Sequence, residues 1–156
     1  MTGPPGPWPL VSVILPTRDR PELVRAAISS VVGQTYPGPI DCLVVYDQEP
    51  PDPTLAGLGT ADHQVRAIAN HRTPGLAGAR NSGLAEATGG FIATCDDDDV
   101  WHPAKLQAQI GRLLGQPDLL LVGSGIRLML PDGRIITWPA RAERITLANF
   151  ISGQAR

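Results

Sequence analysis

Four consecutive aspartates, at residues 96–99, are the side chains in this sequence most able to do chemistry. Adjacent carboxylates raise each other's pKa and need a counter-charge to stay ionised together. With no His or Cys among them, their oxygens suit Mg²⁺ or Mn²⁺ rather than zinc. Mg²⁺ commonly takes only one or two protein carboxylates and completes its shell with phosphate oxygens and water. The run therefore predicts a metal site that also receives a diphosphate.

A solvated acidic loop, with Asp99 capping the following helix, is the alternative interpretation of this run. For an isolated acidic run that alternative would be favoured. Here the run directly follows an apolar, buried-strand pattern at residues 91–95 and is followed by Val100 and Trp101. This placement favours the binding site, and Trp101 is predicted to pack as an anchor beside it.

Other polar residues follow the remaining predicted strands. Thr17, Arg18 and Asp19 come after the first strand, and Asp47 comes after the second. Arg80 lies in the helix that precedes the acidic run. In an open parallel sheet, ligands bind outside the carboxyl ends of the strands, so we expect these residues to meet at one edge.

Two of these residues also have structural interpretations. Asp19 is a good N-cap, because Glu22 three residues later completes a capping box. Arg80 is either a helix-surface arginine or an inward residue, since it lies four positions from both Leu76 and Leu84 on the predicted apolar stripe.

The elements that position these residues alternate between strand and helix. Because strands separated by helices require right-handed crossovers, the pattern predicts an α/β fold with a mostly parallel, Rossmann-like sheet. The Pro-Asp-Gly sequence at residues 131–133 predicts a hairpin, and hence an antiparallel extension. The predicted strands are residues 10–15, 42–46, 65–69, 91–95, 119–122, 126–130 and 134–138, and the predicted helices follow Asp19, span residues 76–87 and begin near Pro103.

Composition narrows the function classes. The chain has 156 residues, enough for one core, with 13 Lys and Arg against 15 Asp and Glu. A net charge of -2 argues against a nucleic-acid interface, which needs a basic excess. Residues 1–9 read as a Pro- and Gly-rich tail, and Cys42 and Cys95 as buried, reduced strand residues. No apolar stretch is long enough to cross a bilayer, so the expectation is a soluble, cytoplasmic chain.

Four motifs in order resemble those of the family-2 glycosyltransferases, which have the GT-A fold. The resemblance covers residues 11–114, and the order and spacing of the motifs make it specific. The motifs are Val-Ser-Val-Ile-Leu-Pro-Thr at residues 11–17, Gly-Ala-Arg-Asn-Ser-Gly-Leu at 78–84, Ala-Thr-Gly-Gly-Phe-Ile at 87–92, and the aspartates at 96–99.

The resemblance implies a nucleotide-diphosphate sugar as donor, with UDP favoured over dTDP and GDP, a hydroxyl acceptor, and Mn²⁺ or Mg²⁺ as cofactor. The family often has an aromatic residue where this chain has Arg18, so that guanidinium would stack on the base instead. The implied donor site contains Pro16, Thr17 and Arg18 at the base and ribose, Asp47 at the base, and Arg80 at the nucleotide. Asp96 and Asp98 match the acids of the D-x-D motif, with Asp96 at the ribose and Asp98 at the metal. Asp97 is a supporting acid.

The general base that an inverting transfer requires is not matched in this sequence. In the family it is an acid beyond the antiparallel extension, and Asp118, Asp132 and Glu143 lie in no matching motif. The expectation is a donor-binding region at residues 10–115, followed at residues 116–156 by the start of a truncated acceptor region. A non-catalytic nucleotide- or metal-binding module is the alternative. A receiver-type phosphorylation domain fits poorly, because its acids are paired after the first strand.

Overall fold

The computed structural model describes residues 7–140, and its centre is a four-stranded parallel sheet. The strands are β1 (Val11–Thr17), β2 (Ile40–Tyr46), β3 (His63–Ala69) and β4 (Phe91–Thr94), in the spatial order β3-β2-β1-β4. Every residue of β1 and β2 is buried, as expected for central strands covered on both faces. The predicted α/β fold with a parallel sheet is confirmed.

Helices cover both faces of this sheet. The helices are α1 (Pro21–Val32), α2 (Leu76–Glu86) and α3 (Lys105–Gly115), and a short 3-10 helix spans Pro53–Leu58. Alternate residues of β1 point to opposite faces. Val13 and Leu15 therefore join the large core with α1 and α3, whereas Ile14 packs with Ala79 of α2.

The chain divides into two compact units, one up to Asp118 and the other from Leu119 onward. In the second unit, β5 (Ile126–Met129) and β6 (Ile135–Trp138) form an antiparallel hairpin, as the Asp-Gly turn predicted. Residues 119–122 form no strand among the described residues, so that prediction was wrong. Leu120 and Leu121 are largely exposed, and an apolar run without a neighbouring strand has no ladder for its backbone groups.

The predicted capping box at the start of α1 is also wrong. Arg20 is the N-cap residue, and its side chain makes no capping hydrogen bond. Pro21 disfavours the helical conformation for the residue before it, and Arg20 accordingly lies outside the helical region with φ -133° and ψ 58°. Asp19, one position earlier, has a positive φ of 54°, which Asp tolerates better than most residues.

Small residues form the inner face of α2. Gly78, Ala79, Ser82 and Gly83 are buried, whereas the two leucines of the predicted apolar stripe, Leu76 and Leu84, are exposed. A Cβ on Gly83 would lie 2.5 Å from Ile14 Cγ2, so the helix backbone approaches the sheet too closely for a leucine.

Cys42 and Cys95 are free and buried, as predicted. None of the helices within residues 7–140 has the length and apolar character needed to cross a membrane.

Candidate functional site

The carboxyl ends of β1 and β2 and the acidic run after β4 border one cleft of about 460 Å³. The parallel register places these three segments at the same edge of the sheet. Residues predicted from three separate parts of the sequence thus lie together. They are Pro16, Thr17 and Arg18 from β1 and the loop after it, Asp47 after β2, and Asp96, Asp97 and Asp98 after β4.

Four residues that sequence reasoning did not assign to the site also line the cleft. Gly75, Leu76 and Ala79 come from the start of α2, and Arg20 comes from the start of α1. The need of the aspartates for a counter-charge was the available signal, but it was interpreted as a metal ion rather than an arginine. No local pattern in the sequence showed which arginine would supply it.

Asp97 is the aspartate of the run that turns inward. It is buried, and its Oδ2 accepts a hydrogen bond of 2.9 Å from Thr17 Oγ1. Its Oδ1 accepts another of 2.9 Å from Arg20 Nη1. The hydrogen bond to Asp97 is also the main reason that the pKa of Arg20 is raised above its ordinary value. Asp97 therefore joins the end of β1 to the acidic run.

Asp96 is paired with Arg80. Arg80 Nη2 donates a hydrogen bond of 2.6 Å to Asp96 Oδ1, so α2 contacts the acidic run through this ion pair. Arg80 Nε is buried and has no hydrogen-bond partner within the described part of the chain. Buried donors are normally satisfied, so this N–H is an exception to the usual pairing. Arg80 therefore reaches the cleft through Asp96 and is not one of its lining residues.

Asp98 is the exposed carboxylate at the edge of the cleft, with 56% of its side chain accessible. Its Oδ2 accepts a hydrogen bond of 3.0 Å from the same Arg20 Nη1 that contacts Asp97. Within residues 7–140, no three Asp, Glu, His or Cys side chains converge to enclose a cation. One exposed carboxylate nevertheless fits Mg²⁺ or Mn²⁺, because these ions take their remaining ligands from phosphate and water. The donor set suits a metal held jointly with a diphosphate, rather than by the protein alone.

Asp99 closes the acidic run. Partial desolvation, and then the charges of Asp96 and Asp98, raise its pKa above the ordinary value. Its backbone N–H donates to the carbonyl of Asp96, which makes the run a tight turn. Behind this turn Trp101 is buried in the core, as predicted, and Lys105 Nζ lies 3.7 Å from the centre of its ring.

Asp47 lies on the opposite side of the cleft and is held by three donors. Asn70 Nδ2 donates to its Oδ1 at 2.8 Å, while Gly75 N and Gln48 Nε2 donate to its Oδ2 at 2.9 and 3.0 Å. The hydrogen bonds from Gln48 and then Asn70 lower the pKa of Asp47. Gly75, with a φ of 108°, has a conformation that favours glycine, and it begins α2. Asp47 thus stays ionised and anchors the first turn of that helix.

Asn70 is a residue of this wall that the sequence did not reveal. Besides Asp47 it contacts the loop before α2, donating to Thr73 O and accepting from Arg72 N. Ser82 Oγ donates to Asn70 Oδ1 at 2.7 Å, which ties the loop to the buried face of α2. Its position one residue after β3 was the available signal.

The remaining predicted residue, Arg18, lies at the mouth of the cleft with 55% of its side chain exposed. Its Nε is 3.5 Å from Asp19 Oδ2, and the Asp19 backbone N–H donates to Glu49 Oε1 at 2.9 Å. This second contact joins the loops after β1 and β2. The base-stacking role predicted for Arg18 remains a prediction.

Comparison with known proteins shows which family this chain belongs to. The profile of "Glycosyl transferase family 2" matches residues 12–135. A relative from Escherichia coli, UDP-Glc:alpha-D-GlcNAc-diphosphoundecaprenol beta-1,3-glucosyltransferase WfgD, is 38% identical over 105 residues, which are 67% of this chain and 41% of the relative. The uncharacterized protein y4gI of Sinorhizobium fredii (strain NBRC 101917 / NGR234) is 33% identical over 131 residues, 81% of this chain and 14% of that protein. The chain thus spans less than half the length of these curated relatives.

Among solved structures, the mannosyltransferase PcManGT from Pyrobaculum calidifontis, in complex with GDP-Man and Mn²⁺, has a similar fold. The TM-score is 0.54 at 22% identity, over 72% of this chain and 34% of that one. At this identity the likeness concerns the fold alone.

Proposed function

The chain belongs to glycosyl transferase family 2, and on that premise we propose that its cleft binds the nucleotide-diphosphate sugar donor of a metal-dependent, inverting glycosyl transfer. The observation that carries the proposal is the meeting of Asp47, Thr17 and residues 96–98 around one cleft of about 460 Å³. Ligand sites commonly have volumes of about 300–1,000 Å³. The E. coli relative named for UDP-Glc makes a UDP-sugar the first donor to test.

In the proposed complex, the base and ribose lie between Asp47 and the end of β1. The ionised Asp47 carboxylate holds the start of α2, so this wall is already formed before the ligand arrives. Asp96, oriented by Arg80, faces the ribose hydroxyls. Arg18 at the mouth of the cleft offers its guanidinium plane to the base, a contact that arginine makes with aromatic rings.

The diphosphate is assigned to the acidic side of the cleft. Asp98 would hold Mn²⁺ or Mg²⁺, which supplies Lewis-acid stabilisation of the departing nucleoside diphosphate. Asp97 is engaged with Thr17 and Arg20, so its proposed role is to position the run. During transfer the bond from the anomeric carbon to the phosphate oxygen breaks, and the acceptor oxygen bonds to that carbon from the opposite side. The acceptor proton passes to a general base, a role that we assign to none of the described residues.

Calorimetric titration tests the donor site. UDP, GDP and dTDP are titrated with and without Mn²⁺ into the wild type, Asp98→Asn and the exposed-site control Asp62→Asn. We expect UDP to bind more tightly with Mn²⁺, and Asp98→Asn to lose about tenfold or more of that metal-dependent gain, whereas Asp62→Asn behaves as the wild type. Binding that is independent of metal and unaffected by Asp98→Asn contradicts the assignment.

A non-catalytic nucleotide-binding module is the second candidate, because none of the residues that the structure describes is assigned the role of general base. Incubation of the chain with UDP-glucose and Mn²⁺, followed by chromatography for released UDP, separates the two. Released UDP that falls with Asp98→Asn supports an enzyme. Tight, metal-dependent UDP binding without turnover supports the binding module. Proton NMR of the anomeric centre in a transferred product tests inversion.

A further inference from the structure

A single nitrogen atom of Arg20 holds two of the four aspartates. Its Nη1 lies 2.9 Å from Asp97 Oδ1 and 3.0 Å from Asp98 Oδ2. A positive group bridging two carboxylates in this way occupies the position, and supplies the charge, that a bound cation would. The repulsion within the acidic run is thereby offset by the protein's own side chain.

The two contacts of Arg20 differ in how easily they can be exchanged. Only 10% of the Asp97 side chain is exposed, and it also accepts a hydrogen bond from Thr17 Oγ1, so its position is set from within the protein. Asp98 is 56% exposed, and Arg20 itself is 48% exposed. An ion pair between two exposed side chains contributes little net stability, so it is readily given up to a competing ligand.

We propose that Arg20 is an exchangeable counter-charge that makes the binding of the divalent cation and of the diphosphate cooperative. The inference rests on the proposed donor site. A cation that binds Asp98 without a diphosphate must displace the guanidinium, and the displaced guanidinium then has no new partner. When a diphosphate is present, the displaced guanidinium stays beside Asp97 and donates to phosphate oxygens, for which its planar fork is well suited.

The quantity to measure is the coupling factor, the ratio of the Mn²⁺ Kd without UDP to the Mn²⁺ Kd with saturating UDP. Linkage requires that Mn²⁺ change the UDP Kd by the same factor, which gives an internal check. Free Mn²⁺ is followed by electron paramagnetic resonance, and UDP by calorimetry. In Arg20→Gln we expect Mn²⁺ alone to bind several-fold more tightly than in the wild type. The coupling factor should fall about tenfold, because only direct metal–phosphate contact remains.

Two further variants separate this role from a general effect of charge or folding. Arg25→Gln removes the same charge five residues further along the chain, within α1, where Arg25 pairs with Asp52 outside the cleft. We expect it to retain the wild-type coupling factor. Arg20→Lys retains a cation whose single nitrogen can bridge both carboxylates, so its coupling factor should lie closer to the wild type than that of Arg20→Gln. Thermal unfolding of each variant verifies that it is folded at the temperature of the titrations.

Failure of the proposal for Arg20 can be distinguished from failure of the donor site itself. Metal-dependent UDP binding by the wild type, with an unchanged coupling factor in Arg20→Gln, overturns the role of Arg20 and leaves the donor site standing. An equal fall in Arg25→Gln also overturns it, because long-range charge would then explain the effect. A wild type that binds none of UDP, GDP and dTDP overturns both proposals.

Discussion

Among single residues, Asp47 shows how a side chain predicted for ligand binding also has a structural task. The sequence placed it after a buried strand, and the resemblance assigned it to the base. In the structure its two oxygens accept hydrogen bonds from Gln48, Asn70 and Gly75. A ligand that contacts Asp47 therefore meets a carboxylate whose orientation is already set.

The lowered pKa of Asp47 predicts a specific dependence of stability on pH. A carboxyl group with a lower pKa in the folded state contributes stability that is complete above its unfolded pKa, near 3.8, and is lost as the pH falls through the folded value. We expect Asp47→Asn to lower the Tm by several degrees between pH 5 and 7. The difference from the wild type should shrink below about pH 3.8. Calorimetric scans from pH 7 to 3 measure it.

Asp62→Asn is the control for that series, because it removes an exposed carboxylate from the loop before β3. Its Tm should follow that of the wild type closely at neutral pH. A difference between Asp47→Asn and the wild type that stays constant down to pH 3 would show that the carboxylate charge contributes nothing to the anchor.

At the level of elements, the contact between α2 and the sheet depends on residues without bulk. Gly83 lies against Ile14 of β1 and Val45 of β2, which are the two central strands. Ala79 packs in the same cluster. This close approach brings Gly75 and Ala79 to the cleft. A glycine that weakens a helix by its propensity therefore serves here to place that helix.

Gly83→Ala should destabilise the protein even though alanine is the better helix former. The added Cβ would lie 2.5 Å from Ile14 Cγ2, and overpacking of this kind costs about 1–3 kcal/mol. The gain in helix propensity is only about 1 kcal/mol. We expect a net loss of up to about 2 kcal/mol in the free energy of unfolding, measured in urea.

Gly111→Ala in α3 is the matched variant with the opposite expected sign. Its Cβ would meet Trp8 Cη2 at 3.4 Å, an ordinary contact distance. It should stabilise the protein by about 0.5–1 kcal/mol. If Gly83→Ala also proves stabilising, α2 has room to move away from the sheet and the glycine is not required by packing.

For the molecule as a whole, the core and the cleft both belong to the unit that ends at Asp118. Every residue of the large core cluster and every residue lining the cleft has a lower number. The β5–β6 hairpin in the second unit exposes much of its apolar surface, including Ile126, Met129 and Trp138.

A chain ending at Asp118 should therefore fold cooperatively. In the presence of Mn²⁺ it should bind UDP with a Kd within about twofold of that of the full chain, since nearby contacts rather than distant ones determine affinity. Thermal unfolding and calorimetry measure the two properties. A shortened chain that unfolds without a cooperative transition, or that loses UDP binding, would show that residues 119–156 complete the folded domain.

The sequence by itself determined the order of strands and helices up to α3, the parallel sheet, the β5–β6 hairpin and the family. These features depend on hydrophobic periodicity, turn residues and short motifs, which are properties of neighbouring residues. For the same reason it located the acidic run and Asp47 at the ends of parallel strands, which bring them to one edge of the sheet. The strand before the acidic run, predicted to be buried, is the half-exposed edge strand β4.

Only the tertiary structure decided which partner each charged side chain takes. It turned Asp97 inward to Thr17, 80 residues away, and supplied Arg20, 77 residues away, as the counter-charge of the run. It also left Asp19 outside the helix cap and exposed the leucines of α2. Such pairings depend on distances between elements that only packing of the whole domain sets, so no local pattern of residues encodes them.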